Sequence, residues 1–437
     1  MKALSLIGAA ALLFTTSLRA ENWPQWRGPS FNGSTTEKNL PTTFSKTENV
    51  KWCASLPGPA AATPVVWNDH VFVSSTDQSN RATRAMCVDR KSGKVLWDEQ
   101  VSASYGYSDS SNFASPSPVT DGQVVVFLYG NGDLAAFDIA GKSIWSRNLQ
   151  KDYGGLAYNW TYGASPLLYD GKLIVEVLQR NEPVRGRGLT DGPIDSYLLA
   201  VEPQTGKTLW KHARPCDARA ESHEAYTTPI PFAHDGRSEL LVVGGDCITG
   251  HSLKDGEEFW RWATWNPTKI THWRLVPSVV TGGNVLLASA PKGAPIYAFK
   301  PGGKGQLDDS WVAWKSQERE VSTDVATPLF YQGRFYVLNG ERRTIARVDP
   351  ATGKADWIGD LESRIKIESS PTGADGKIYF QNFRGEVFVV AAAEKFKLLH
   401  KAAMGDEEDD QIRASIAAAQ GELFIRTAHK LYCIGQR

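Results

Sequence analysis

The tightest constraint on this chain is a phrase it repeats. KSGKVLW occupies residues 91–97, QTGKTLW residues 204–210 and ATGKADW residues 351–357. A second signature recurs as Ser/Thr-Pro starts: ATPVV (62–66), ASPSPV (114–119), ASPLLY (164–169), TTPIPF (227–232), VPSVV (276–280), ATPLFY (326–331) and SSPTG (369–373). The start prolines fall at 64, 116, 166, 229, 328 and 371, with the fifth unit shifted to Pro277, a period of roughly 45 to 60 residues. A unit of that size cannot bury its own apolar faces, so neighbours must stack.

Each unit reads as β rather than helix. In DGQVVVFLYGNGDLAAFDIAGKSIW (121–145), two apolar stretches flank GNGD, a turn of residues that tolerate positive φ, and DIAGK leads into a further strand. Four short antiparallel strands per unit, without an amphipathic helix, predict a propeller blade. The phrase then has a mechanical meaning. Its Gly supplies a left-handed turn into the outermost strand, and its Trp offers a flat surface to press between blades. Burying one such ring removes roughly 150 to 250 Å² from water, several kcal/mol as an upper estimate. Trp52, Trp97, Trp145, Trp210, Trp260 and Trp357 are the expected docking residues.

Counting gives seven full units and a short eighth, IRASIAAAQGELFIRTAHKLYCIGQR (412–437), which stops after its third strand. NVKWCASLPG (49–58) looks like the missing outer strand, with Trp52 in the Trp slot. Joining the two closes an all-β ring of eight four-stranded antiparallel blades over residues 49–437 and leaves no sheet edge. Residues 21–48 form a lead-in segment. Cys53 and Cys433 then lie diagonally on neighbouring strands, a geometry that permits a disulfide without compelling one.

Residues 1–20 place Lys2 ahead of an apolar run and end on small residues, the pattern of a secretory signal peptide. The run is too short to span a bilayer, and no Cys follows it to accept lipid, so the expected product is periplasmic or secreted and not membrane-spanning. With 48 basic and 48 acidic residues and no long basic run, nucleic acid is excluded as a partner. The five cysteines form no CxxC or CxxCH, which argues against metal clusters and covalent haem.

Units of the form A-x-D-x-x-T-G-K-x-x-W, seen as AVEPQTGKTLW (200–210) and RVDPATGKADW (347–357), resemble the tryptophan-docking repeats of pyrroloquinoline-quinone-like eight-bladed propellers. The lead-in NWPQWRGPSFNGST (22–35) is similar to the N-terminal segment of the same superfamily. The resemblance covers about Asn22 to Arg437 and implies two contrasting roles. Quinoprotein alcohol dehydrogenases hold the quinone and calcium on the axis and use an aspartate base. This chain is shorter and lacks their adjacent Cys-Cys pair. The propeller subunit of the outer-membrane protein assembly machinery is a non-catalytic lipoprotein that binds partners through its loops. Here the lipid-accepting Cys is missing.

A site is expected in the axial funnel, lined by loops that enter each innermost strand. Those loops contribute Trp160, Tyr162, His223, Glu224, Tyr226, Trp273, Arg274, Asp324, Glu368 and Arg413. Arginines among aromatics suit a small planar or anionic ligand, or a protein partner. His223, Glu224 and His272 match no metal-ligand spacing, so no metal site is assigned. The acidic stretch GDEEDDQ (405–411) reads as a solvated connecting loop, and residues 179–196 as a surface insertion in the third unit. The expected function is an exported scaffold without catalysis or cofactor of its own. The alternative is an oxidoreductase using pyrroloquinoline quinone with calcium in the funnel.

Overall fold

A computed structural model describes residues 21–108, 111–188 and 192–436; the expected signal peptide, residues 1–20, lies outside the described residues. Eight antiparallel sheets follow one another along the chain. Blade 1 comprises Val65–Trp67, His70–Asp77, Ala82–Asp89 and Val95–Ser102, and blade 2 Val119–Thr120, Val124–Leu128, Asp133–Asp138 and Ser143–Asn148. Blade 3 comprises Leu167–Tyr169, Lys172–Val177, Tyr197–Val201 and Thr208–Ala213, and blade 4 Ile230–His234, Arg237–Gly244, Cys247–Ser252 and Glu258–Trp262. Blade 5 comprises Val280–Gly282, Val285–Ser289, Ile296–Phe299 and Val312–Lys315, and blade 6 Leu329–Tyr331, Arg334–Asn339, Thr344–Val348 and Ala355–Asp360. Blade 7 comprises Thr372–Ala374, Lys377–Gln381, Glu386–Ala391 and Leu398–Ala403. Blade 8 takes Ala417–Ala419, Glu422–Arg426 and Lys430–Ile434 from the end of the chain and Val50–Ser55 from its beginning.

The closing register pairs Trp52 with Cys433 and Cys53 with Tyr432. Cys53 is exposed and Cys433 buried, on opposite faces of the blade, and all five cysteines are free. In each blade the second strand is buried at nearly every position, as in Val124–Leu128, because both of its faces meet another blade. Outermost strands are far more exposed, as in Ser143–Asn148, and some alternate, as in Thr208–Ala213. Blade 4 departs from the four-strand pattern: Gly305–Gln306 adds a fifth, parallel to Glu258–Trp262.

The repeated phrase works across blades. The Trp97 indole N–H donates to the Ile139 carbonyl of blade 2 at 3.0 Å, Trp145 to Pro203 of blade 3 at 2.7 Å, and Trp210 to Leu253 of blade 4 at 3.3 Å. Trp357 reaches Ala393 of blade 7 at 2.9 Å, and Trp52 of blade 8 reaches Arg90 of blade 1 at 2.6 Å. Every one of these rings except Trp357, whose partner turn has no glycine, lies on the glycine of the next blade's turn. A Cβ added at Gly93 would sit 2.7 Å from Trp52, at Gly141 2.5 Å from Trp97, and at Gly206 2.6 Å from Trp145, all at positive φ. Glycine is therefore required twice over, by the turn and by its neighbour's tryptophan. A β-bulge immediately before each Trp turns the ring toward the next blade. The residue opposite is small in four cases, where Cys87 faces Trp97, Ala136 faces Trp145, Ala200 faces Trp210 and Cys433 faces Trp52, whereas Arg347 faces Trp357.

Three slots differ from expectation. Trp314 docks blade 5 onto Pro350 of blade 6 at 2.7 Å and was absent from the expected set. Trp260 packs against Gly303, but its N–H stays in its own blade, donating to Glu239 at 3.0 Å. In blade 7 the slot holds His400, whose ring meets the lead-in at the Phe44 carbonyl at 2.7 Å.

The Ser/Thr-Pro starts build a second ring around the axis. The backbone N–H of Thr63 donates to Ser117 Oγ, Ser117 to Ser165, Ser165 to Thr228 and Thr228 to Ser278, at 2.8–3.1 Å. Ser278 donates to Thr327, Thr327 to Ser370 and Ser370 to Ser415, at 3.0–3.1 Å. The position equivalent to Pro64 in blade 2 is therefore Pro118, after Ser117, and not Pro116. The eighth link is open, and Thr63 Oγ1 is buried without a partner.

Candidate functional site

The lead-in segment crosses the axis. Trp23 bridges Val66 of blade 1, the Pro24 carbonyl accepts from Thr120 of blade 2, and Phe31 meets Tyr169 of blade 3 edge-on. On the far side Arg27, buried and without a carboxylate, donates to the carbonyls of Pro328 at 2.9 Å and Pro371 at 3.2 Å. Burial pushes its pKa down to about 9. This strap floors an axial cavity of about 420 Å³. Its base is Trp26, its wall includes Ser117, Ser165, Thr228, Ser370 and Ser415 of the hydroxyl ring, and its mouth carries Trp160, Arg274, Lys366, Glu368, Phe383 and Arg413.

Of the ten funnel candidates, Trp160, Tyr226, Arg274, Glu368 and Arg413 line this cavity. Asp324 stands one step outside, in a neighbouring cleft that also includes Arg274. Tyr162 is buried and turns away, its hydroxyl donating to the Glu176 carbonyl at 2.8 Å. Glu224 is buried beneath Tyr226, held by Arg180 at 2.5 Å, the Tyr226 hydroxyl at 2.6 Å and the Asn159 N–H at 3.0 Å. Burial raises its pKa against the pull of those partners. His223 is buried with its Nδ1 3.2 Å from Cys216 Sγ, and burial lowers its pKa. Trp273 is half-buried outside the cavity, its backbone N–H on Ser222.

The charges at the mouth are paired across blades. Arg274 grips Asp324 with two bonds of 3.2 and 3.3 Å. Burial works against ionisation of Asp324, but the guanidinium outweighs it and holds the carboxyl below its ordinary range. Glu368 takes Arg413 Nε at 2.6 Å on one oxygen and Lys366 Nζ at 2.8 Å on the other. Arg413 also stacks 4.7 Å above the Phe383 ring.

Sequence reasoning did not place Trp26, Phe383, Lys366 or the hydroxyl ring in the site. The signal for Trp26 was available: a second tryptophan in a lead-in that has no docking slot to fill. The insertion 179–196 reaches the same site, with the Arg185 guanidinium 5.8 Å from the Trp160 ring and Arg187 donating to the Tyr158 carbonyl. In the acidic stretch, Asp406 pairs with Lys46 and Lys430, and Asp409 accepts from the Asp406 and Ala428 N–H groups.

These features define an eight-bladed propeller of the tryptophan-docked, pyrroloquinoline-quinone-like class, with an axial cavity closed at one end by its own N-terminal strap. More particularly, the chain belongs to the family described as outer membrane protein assembly factor BamB, whose model matches residues 34–178 and 193–395. The break in that match falls within the insertion that carries Arg185. Among solved structures, BamB from Moraxella catarrhalis is 13% identical, with a TM-score of 0.57 over 88% of this chain and 99% of that one. Quinohemoprotein alcohol dehydrogenase from Comamonas testosteroni is 12% identical, with a TM-score of 0.65 over 95% of this chain and 81% of that one. At those identities the likeness shows the fold alone. An uncharacterized protein of Rickettsia prowazekii is 24% identical over 278 residues, which cover 58% of this chain. The match spans 64% of that relative's length, less than two thirds of it.

Proposed function

We propose that this protein is an exported binding scaffold that holds a segment of a protein partner in its axial funnel and carries out no catalysis there. One observation carries the reading: the three predicted funnel carboxylates are already engaged, Glu368 by Arg413 and Lys366, Asp324 by Arg274 and Glu224 by Arg180. A carboxylate committed to a guanidinium is a poor general base. It is also a poor calcium ligand, since calcium gathers 6–8 oxygens and, among the described residues, Glu368 is the one carboxylate that lines the cavity. The described residues of the funnel thus do not fit calcium. What the funnel offers instead is recognition surface: half-buried faces of Trp26 and Trp160, with Phe383 beneath Arg413. Aromatic anchors with arginine at a preformed concavity are the chemistry of partner binding. Among the described residues no helix is long and apolar enough to cross a membrane. The signal pattern of residues 1–20 supports export.

Two measurements test the proposal. A photo-crosslinking side chain in place of Thr161, at the funnel wall, is expected to trap a discrete protein in the native host, and Trp160→Ala to abolish the adduct. Incubation with pyrroloquinoline quinone and calcium is expected to give no dye-linked oxidation of alcohols or sugars. Saturable turnover would replace the scaffold with an oxidoreductase.

A further inference from the structure

A second cleft of about 690 Å³ opens beside the funnel, among the loops of blades 5, 6 and 7. Arg274 and Lys366 line both cavities, so the two adjoin. Five cations, Arg274, Lys292, Arg319, Arg342 and Lys366, face two carboxylates, Asp324 and Glu341. Those carboxylates are already taken, Asp324 by Arg274 at 3.2 Å and Glu341 by Lys366 at 2.6 Å. Arg342 reaches Glu320 only at 3.9 Å, and Lys292 and Arg319 are absent from the ion pairs among the described residues. The lining therefore carries more cations than carboxylates, with Glu318 and Glu320 flanking Arg319 in the same loop.

The loops that carry these cations are fixed. The Lys292 backbone N–H is held by Asp324 at 3.0 Å. The Arg319 carbonyl accepts from Ser322 Oγ at 2.8 Å and Asn339 Nδ2 at 3.3 Å, and the Arg342 N–H donates to Asn339 at 3.0 Å. Three exposed cations thus stand on three separate, anchored loops that line one cleft. That arrangement suits an extended chain with separated negative charges better than a compact anion, which is cradled by convergent N–H groups.

We infer that this cleft binds an acidic peptide segment, whose Asp or Glu side chains meet Lys292, Arg319 and Arg342. The identity of the occupant rests on the scaffold reading, in which the same partner continues into the funnel through Arg274 and Lys366. The cleft adds charge selectivity and salt-dependent capture to a funnel whose own charged groups are already paired.

The test uses the full chain and a fluorescently labelled hexa-aspartate peptide, followed by anisotropy, with hexa-serine as the control. Hexa-aspartate is expected to bind at low salt, to weaken as salt rises, and to lose at least tenfold in affinity with Lys292→Glu combined with Arg319→Glu. Lys142→Glu, a charge reversal in an exposed turn of blade 2 outside both cavities, is expected to leave that affinity unchanged. Both charge reversals are at surface positions, and an unshifted melting temperature certifies the fold. Equal binding by wild type and the double variant overturns the inference, as does displacement by inorganic pyrophosphate at concentrations below those of the peptide. Loss of the funnel crosslink with the peptide result intact overturns the scaffold reading alone.

Discussion

Gly206→Ala isolates the energy of one docking contact, because Gly171 in the same blade serves as its control. Both glycines have positive φ, 73° and 68°. An alanine at either must adopt a left-handed backbone, at about 1–2 kcal/mol. A Cβ at Gly171 meets nothing within 4 Å, whereas at Gly206 it would lie 2.6 Å from Trp145 Cδ2. The indole must then retreat, with an overpacking cost of about 1–3 kcal/mol. Its 2.7 Å bond to the Pro203 carbonyl goes too, for about 0.5–1.5 kcal/mol more. Gly206→Ala should thus cost roughly 2.5–6.5 kcal/mol and Gly171→Ala roughly 1–2 kcal/mol. Urea titration of both variants, read by tryptophan fluorescence and by far-ultraviolet circular dichroism, measures the difference. In a Trp145→Leu background the excess at Gly206 should vanish. Equal losses at the two glycines, or an excess that survives without the indole, would refute the cross-blade account of the repeated phrase.

Ser165→Ala removes the acceptor for the buried Ser117 N–H, 3.0 Å away, and should destabilise by about 1–3 kcal/mol, while Ser165→Thr keeps most of the stability. Glu176, fully buried with one oxygen unpartnered, has its pKa pushed up to about 8 by burial. A raised carboxyl pKa gives a contribution fully present below about pH 4.5 and lost as pH climbs to about 8, so a Glu176→Gln melting profile should gain on wild type across that window. A gain confined to acid pH would contradict it. Iodoacetamide applied to the native protein should label Cys53 first and spare Cys87, Cys247 and Cys433, as peptide mass mapping would show.

The ring was legible because its two devices are written in single residues. A Gly-Lys turn followed by Trp and a Ser/Thr-Pro start each fix one contact per blade, so both recur at the repeat period. The orphan strand at Val50–Ser55 was readable from Trp52 for the same reason. Trp314 was harder, because DDSWVAW carries no Gly-Lys and its blade reaches the outer strand through an enlarged turn that also lends Gly305–Gln306 to blade 4. The funnel was only half legible. Trp160, Arg274, Glu368 and Arg413 lie just ahead of their start motifs, where every blade delivers side chains to the axis. Tyr162 and Glu224 sit in the same loops yet turn into the core, because facing depends on which neighbour satisfies each polar tip, and sequence spacing does not record that. Trp26 and Phe383 reach the cavity by routes the repeat does not encode, one on the lead-in strap and one on a loop between middle strands.

The missing hydroxyl link lies between Ser415 and Thr63, where blade 8 meets blade 1. Chain connects those two blades only through Val50–Ser55, which is itself held in blade 8 by ladder bonds to Lys430–Ile434 and by Lys51 on Glu422, while Arg90 on Glu422 and the Trp52 ring on Arg90 tie blade 8 to blade 1. The hoop has a clasp at one known position, built from non-covalent contacts alone. Thermal breathing or applied force will part it there first, so deuterium uptake in residues 50–55 should lead that of any other outer strand. A propeller that opens at one fixed point can also admit a threaded segment sideways, without passing it through the mouth of the funnel.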